Sequence, residues 1–140
     1  MTFFQAIGAC FRNATQFSGR ASRSEFWWWE VFTLLTKVVP YGVAAVWGGA
    51  HPLLASGFVW CAIFLMVVLA LPSLAVASRR CHDSGRSGWW QLVALVPHIG
   101  GVWFWLLAAK PSEAGSNRFG PSPVAPRAGD DIHVARFASE

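Results

Sequence analysis

Long apolar runs alternate with short polar segments along this chain. The first run, residues 26–47, contains only two ionised side chains, Glu30 and Lys37. A helix of this length is about 33 Å long at 1.5 Å per residue, which is enough to cross a hydrocarbon core of about 30 Å. The second run, residues 53–78, contains no ionised side chain. The pattern therefore predicts two membrane-spanning helices.

A third apolar run, residues 89–109, has an interruption at its centre. The sequence Val-Pro-His-Ile-Gly-Gly at residues 96–101 is a poor helix centre because proline lacks a backbone N–H and glycine is a weak helix former. Two interpretations stay open: a helix that crosses with a kink, or a re-entrant hairpin that turns back. Proline and glycine recur after Lys110, so we predict a membrane domain over residues 1–123 and a disordered polar tail over 124–140.

The N-terminal residues have helical spacing of aromatic and aliphatic side chains. Phe3, Phe4, Ile7 and Phe11 recur at intervals that predict a short amphipathic helix. This helix either lies on the membrane surface or packs on the protein itself, and the sequence does not favour one over the other. The predicted fold class is an all-α integral membrane protein: a small bundle of three apolar segments plus this N-terminal helix.

Composition agrees with a membrane location. Hydrophobic residues make up 54% of the chain and charged residues 13%, whereas soluble domains have about 25% charged residues. Three widely spaced cysteines with no CxxC pair predict neither a disulfide framework nor a metal site. We expect no cofactor and no nucleic-acid partner, because the sequence contains no phosphate-binding loop and no nucleic-acid-binding signature.

The distribution of arginines predicts the orientation in the membrane. They are concentrated in the N-terminal segment and in the second connection: Arg12, Arg20, Arg23, Arg79, Arg80 and Arg86. The first connection, residues 48–52, has no Lys or Arg. The positive-inside rule then predicts a multi-pass protein with a cytoplasmic N-terminus. A third crossing would place the C-terminal tail outside, and a hairpin would return it to the cytoplasm.

Three polar strings resemble a known family. They are FSGRASRSEFWW at residues 17–28, RRCHDSGRSGWW at residues 79–90 and SNRFGPSP at residues 116–123. In that order around apolar runs they resemble the YhaH-like small bacterial inner-membrane proteins, domain-of-unknown-function family 805. The resemblance covers about residues 3–123. It implies a location in the bacterial inner membrane and implies no reaction, because the family has no established activity.

The basic residues of the first two strings suggest a binding surface. Guanidinium groups close to helix ends lie at the depth of lipid headgroups and suit phosphate oxygens. One hypothesis is a site for anionic lipid or a partner protein that consists of Arg20, Arg23, Arg79, Arg80, His82 and Arg86. The alternative is simple positive-inside anchoring.

The acidic residues suggest that the loops dock together. Glu25 and Asp83 can each accept an arginine from the other loop, and Asn117 and Arg118 join them if the tail is cytoplasmic. A coupling between Asp83 and Arg23 is the specific expectation.

Two further groups of residues carry side chains that are capable of chemistry. His82 and Asp83 are adjacent in sequence and lack an evident nucleophile, so we predict no catalytic residue and no enzyme. Glu30, Thr33 and Lys37 form a polar stripe inside the first span, which is the basis of an alternative function: a transporter or channel subunit that assembles as a homo-oligomer. The simpler interpretation is that Lys37 reaches toward the membrane interface.

Overall fold

The computed structural model describes residues 1–97, 100–113 and 115–124. Within these ranges the chain has four α-helices, one 3₁₀ helix and no β-strand, so the predicted all-helical fold is confirmed. The elements are α1 Phe3–Arg12, α2 Arg23–Trp47, α3 Pro52–Asp83, the 3₁₀ helix Gly88–Leu95 and α4 Gly100–Ala109. The predicted disordered tail lies outside the described residues, apart from Val124.

Two of these helices are long and apolar enough to cross a membrane. Helix α2 has 25 residues, about 37 Å, and α3 has 32 residues, about 48 Å. Both include the predicted spans, and α2 runs through Pro40 without ending. Helix α3 is longer than a hydrocarbon core of about 30 Å. It continues to Asp83, beyond Ser78, where the predicted span ends.

Helix α3 ends at a glycine cap. Gly85 has a φ of +71°, the left-handed conformation that glycine adopts without steric cost. The Gly85 amide donates to the His82 carbonyl at 3.0 Å, and the Arg86 amide donates to the Cys81 carbonyl at 3.0 Å. This pair of bonds is a Schellman motif, which satisfies the last carbonyls of the helix. The cap fixes the direction in which the chain leaves α3.

The chain divides into two compact units, of which the first contains Met1–Thr15 and Ser24–Ala75. Here α1 packs on α2 through aromatic pairs: the Phe11 and Trp29 ring centroids are 5.3 Å apart, in an edge-to-face arrangement. Trp29 is fully buried and its indole N–H donates to the Ser73 hydroxyl at 2.9 Å, which joins α2 to α3. Phe4, on α1, is 82% exposed. Helix α1 therefore packs on the protein and also presents an apolar side chain outward.

The second unit contains Gln16–Arg23 and the described part of Val76–Glu140. The sequence leaves a kinked crossing and a re-entrant hairpin open for residues 89–109, and the described part of this apolar segment is divided into two helices. It consists of the eight-residue 3₁₀ helix and the ten-residue α4, which pack against each other. The break follows from Pro97, which cannot donate an N–H to a continuous helix, and from the glycine pair that begins α4.

Candidate functional site

Residues 17–21, which precede α2, lie along the C-terminal turns of α3. The Ala21 amide donates to the Arg79 carbonyl at 3.1 Å. The His82 Nδ1 atom lies 3.1 Å from the Gly19 carbonyl oxygen, within hydrogen-bond distance. These contacts join the first polar string to the second, and they bring Arg20 next to the end of α3.

At this junction two arginines share one carboxylate. Asp83 is fully buried, and its Oδ1 atom accepts a hydrogen bond from Arg20 Nε at 2.9 Å. Its Oδ2 atom accepts from Arg80 Nη1, one helical turn earlier on α3. Both guanidinium side chains are about as inaccessible as the carboxylate. We call Arg20, Arg80 and Asp83 the arginine cluster.

Backbone carbonyls from the C-terminal part of the chain complete the hydrogen bonding of the two guanidiniums. Arg80 Nε donates to the Ala108 carbonyl at 2.8 Å, and Arg20 Nη1 donates to the Gly115 carbonyl at 2.7 Å. Further carbonyl acceptors are Ala21 and Lys110 for Arg80, and Glu113 and Gly120 for Arg20. Buried charges require such partners, because desolvation costs several kcal/mol per ion. The acceptors include the last carbonyls of α4, where the helix dipole is negative and favours a cation.

The third polar string closes over the same junction. Asn117 Nδ2 donates to the His82 carbonyl at 3.0 Å, and Asn117 pairs with Gly120 in a tight turn. The Phe119 ring stacks on the His82 imidazole with centroids 3.9 Å apart and planes at 5°. All three strings therefore meet around the end of α3.

Other cations remain outside the cluster. We call Arg23, Arg86 and Arg118 the outer arginines: Arg23 and Arg118 are exposed, and Arg86 is half-buried. Arg86 lies over the Trp90 ring at 4.5 Å and Arg118 over the Phe119 ring at 4.6 Å. The described residues of this unit include seven Lys and Arg but only two Asp and Glu. Its electrostatic field therefore favours anions.

The structure divides the six residues of the predicted binding surface into two groups. Arg20, Arg79 and Arg80 are buried, whereas Arg23 is exposed and Arg86 is half-buried. His82 is partly buried between its contacts to Gly19 and Phe119. Arg20 and Arg80 are engaged with Asp83 and backbone carbonyls, which leaves the outer arginines as candidates for an external ligand.

In the predicted docking of the loops, the arginine that pairs with Asp83 is a different one from the arginine that the sequence predicts. Asp83 accepts the guanidinium of Arg20 and not that of Arg23, because Arg20 precedes α2 and can reach the end of α3, whereas Arg23 is exposed at the first turn of α2. Glu25 is buried, with its Oε1 atom 3.9 Å from the Cys10 sulfur, and its pairing with an arginine of the other loop stays a prediction. Sequence reasoning also missed the carbonyl acceptors and the role of Phe119, although the SNRFGPSP string marked their region.

The polar stripe of α2 is not part of this site. Thr33 is buried and its hydroxyl donates to the Glu30 carbonyl at 3.1 Å, as a threonine inside a helix commonly does. Lys37 is exposed. Among the described residues, no three His, Cys, Asp or Glu side chains form a group that could hold a metal ion.

Comparison with known proteins identifies the family. Residues 14–121 match the model of the family described as "Protein of unknown function (DUF805)". The chain belongs to this family. The resemblance drawn from the three strings is thus confirmed, and the match to DUF805 spans the whole arginine cluster as well as Asn117 and Arg118.

Two of the curated relatives of this chain are inner membrane proteins of Escherichia coli. Inner membrane protein YhaI of Escherichia coli K12 is 35% identical over 112 residues, which is 80% of this chain and 89% of YhaI. Inner membrane protein YhaH of the same strain is 31% identical over 116 residues, 80% of this chain and 90% of YhaH. Uncharacterized protein YiiR is 32% identical over 98 residues, 64% of this chain and 62% of YiiR. No solved structure matches the chain.

These relatives and the two membrane-length helices together confirm that this DUF805 chain is a bacterial inner-membrane protein.

Proposed function

We propose that this DUF805 protein is a non-enzymatic inner-membrane module that binds the phosphate headgroups of anionic lipids through its outer arginines. The observation that supports the proposal is the division of the cations into two groups. Arg20 and Arg80 each make four hydrogen bonds, to Asp83 and to backbone carbonyls. The outer arginines stack on aromatic rings or are exposed; Arg118 donates one N–H to the Gly85 carbonyl at 3.3 Å, and its other N–H groups stay available for an external anion.

The orientation in this proposal follows the positive-inside rule. The arginine-rich segments before α2 and after α3 lie in the cytoplasm, and the uncharged connection between α2 and α3 lies in the periplasm. The N-terminus is then cytoplasmic, and α1 lies at the membrane surface with the exposed Phe4 in contact with lipid.

A lipid ligand fits the neighbours of the outer arginines. Arg86 stacks on Trp90, and Trp89 beside it is 77% exposed. Tryptophan is enriched where membranes meet water, so these rings belong at headgroup depth. Arg23 begins α2 and therefore lies near the same interface. Each basic residue near an anionic surface contributes about 1 kcal/mol, and a guanidinium binds phosphate oxygens through paired hydrogen bonds.

His82 has a structural role in this proposal. Its Nδ1 atom contacts the Gly19 carbonyl, and one face of its ring is covered by Phe119. A general base must instead reach a substrate proton. The transporter alternative, based on the Glu30, Thr33 and Lys37 stripe, stays a prediction.

Replacement of all three outer arginines by glutamine tests the lipid proposal. We expect the affinity for phosphatidylglycerol to fall about 100-fold, because three residues at about 1 kcal/mol each are lost. Native mass spectrometry from detergent, with titrated phosphatidylglycerol and with phosphatidylethanolamine as the zwitterionic comparison, measures this change.

The matched control replaces the same three arginines by lysine. Lysine keeps the charge and loses the planar fork, so most of the affinity should remain. Equal phosphatidylglycerol binding by the wild type and the glutamine variant would overturn the proposal. Co-purification of a stoichiometric protein through the outer arginines, with no lipid preference, would replace lipid with a protein partner and would equally contradict it.

A further inference from the structure

Both ends of the apolar segment after α3 contact that helix at nearly the same level along its axis. At its start, a Cβ placed on Gly88 would overlap the Ser78 hydroxyl, so the backbone of Gly88 lies against α3 there. At its end, the Ala108 carbonyl accepts a hydrogen bond from Arg80 Nε at 2.8 Å. Ser78 and Arg80 are two residues apart on one helix, about 3 Å along its axis. A segment that crossed the bilayer would have its ends about 30 Å apart.

The two arms of the segment have matching lengths. The 3₁₀ helix has eight residues, about 16 Å, and α4 has ten residues, about 15 Å. Each arm is half the thickness of a hydrocarbon core of about 30 Å, so neither can cross it. Two arms of this size have the length needed to reach the middle of a bilayer and return.

The arms are in close backbone contact near the turn. A Cβ placed on Gly100 would overlap the Val93 carbonyl oxygen, so only glycine fits there without movement of the backbone. The turn keeps backbone hydrogen bonds: the Val96 amide donates to the Val93 carbonyl at 3.0 Å, and the Gly100 amide donates to the Val96 carbonyl at 2.9 Å. Within a membrane, irregular backbone needs such internal partners.

The outer surface of the arms is apolar and exposed. Trp89, Leu92, Val96, Val102, Trp105 and Leu106 are all more than two-fifths accessible. Residues 87–109 contain no ionisable side chain other than His98, which lies outside the described residues. A surface of this composition, anchored at its base by the buried arginine cluster, matches lipid tails and not water.

We propose that the 3₁₀ helix and α4 are the two arms of a re-entrant hairpin that enters one leaflet, whose acyl chains cover its apolar surface. The arginine cluster holds the C-terminal end of the hairpin against α3 at the membrane interface, and the contact between Gly88 and Ser78 holds its N-terminal end there. In the orientation of the proposed function the leaflet is the cytoplasmic one, and that choice of leaflet alone rests on the proposed function. The chain then crosses the membrane twice, and its N- and C-termini lie on the same side.

Topology reporters at both ends of the full chain test the hairpin. Green fluorescent protein, active in the cytoplasm, and alkaline phosphatase, active in the periplasm, are fused in turn before Met1 and after Glu140, with phosphatase inserted after Gly49 as a control for the first connection. We expect the two termini to report the same compartment and the Gly49 insertion the opposite one. Termini in opposite compartments would overturn the hairpin. Two periplasmic termini would support the hairpin and overturn the orientation in the proposed function.

A glycine pair tests the contact between the arms independently of topology. Gly100→Ala forces a Cβ against the Val93 carbonyl, whereas a Cβ on Gly101 meets nothing within 4 Å, so Gly101→Ala is the matched control. We expect Gly100→Ala to lower the melting temperature in detergent by roughly 5 °C more than Gly101→Ala does. Equal melting temperatures for the two variants would contradict the close packing of the arms.

Discussion

Replacement of Asp83 by asparagine is expected to destabilise the protein by about 3–5 kcal/mol. The carboxylate is fully buried and is the shared acceptor for Arg20 and Arg80. Asparagine has a similar volume but no charge, so both guanidiniums would stay buried without a counter-ion. Removal of one partner from a buried ion pair is costly for this reason, even where the intact pair adds little net stability.

Thermal unfolding of the purified protein in detergent measures this effect, with the amount of full-length protein in cell membranes as a reporter of folded yield. The control is Glu113→Gln, which removes a carboxylate from the same unit at an exposed position. Glu113 Oε2 accepts from Asn117 Nδ2 at 2.7 Å, and a glutamine oxygen can accept the same bond. We expect the control to change stability by less than about 1 kcal/mol. An Asp83→Asn variant as stable as the control would show that the cluster is not a stabilising element.

Replacement of Arg80 by methionine is expected to cost a similar amount, about 3–5 kcal/mol, for a different reason. Methionine occupies much of the same volume, but it leaves the Ala108 and Lys110 carbonyls without their donor. An unsatisfied buried acceptor costs about 1–3 kcal/mol, and Asp83 also loses one of its two partners. The C-terminal end of α4 should therefore detach from α3 before the rest of the protein unfolds.

Hydrogen–deuterium exchange in detergent localises this change. In the Arg80→Met variant, the amides of α4 should exchange faster while those of α2 stay protected. Lys110→Gln is the control, because it removes an exposed cation and retains the backbone carbonyl that Arg80 contacts. Wild-type exchange rates throughout α4 in the Arg80 variant would contradict an anchoring role for this side chain.

The membrane architecture could be predicted from the sequence to a large extent. The apolar runs at residues 26–47 and 53–78 are long enough to determine helix type and membrane location, and both lie within observed helices. The sequence of the third run is compatible with both a kinked crossing and a hairpin, because Pro97 and two glycines interrupt it. Local sequence patterns do not show which part of the protein its C-terminal end contacts. That information is in the contact between Arg80 and Ala108, residues far apart in sequence.

For the site, the sequence predicts which three polar strings take part but not which residues contact each other. The sequence indicates the arginines, Asp83 and Asn117 as residues of the site. It does not determine which of them pair, because charge and spacing do not distinguish Arg20 from Arg23 as the partner of Asp83. Burial decides between them: Arg20 is enclosed, whereas Arg23 is exposed. Backbone acceptors carry no sequence signal, so the carbonyls of Gly115 and Gly120 could not be predicted at all.

The most direct test of the account is a pair of double-mutant cycles in detergent, Arg20→Gln with Asp83→Asn and Arg23→Gln with Asp83→Asn. Contact between buried Arg20 and Asp83 predicts a coupling free energy of about 2–3 kcal/mol in the first cycle. Because Arg23 is exposed, the effects of the two substitutions in the second cycle on the free energy of unfolding should add within about 0.5 kcal/mol. Additive effects of Arg20 and Asp83, or a larger coupling with Arg23, would contradict a fold in which these three strings meet around one buried carboxylate.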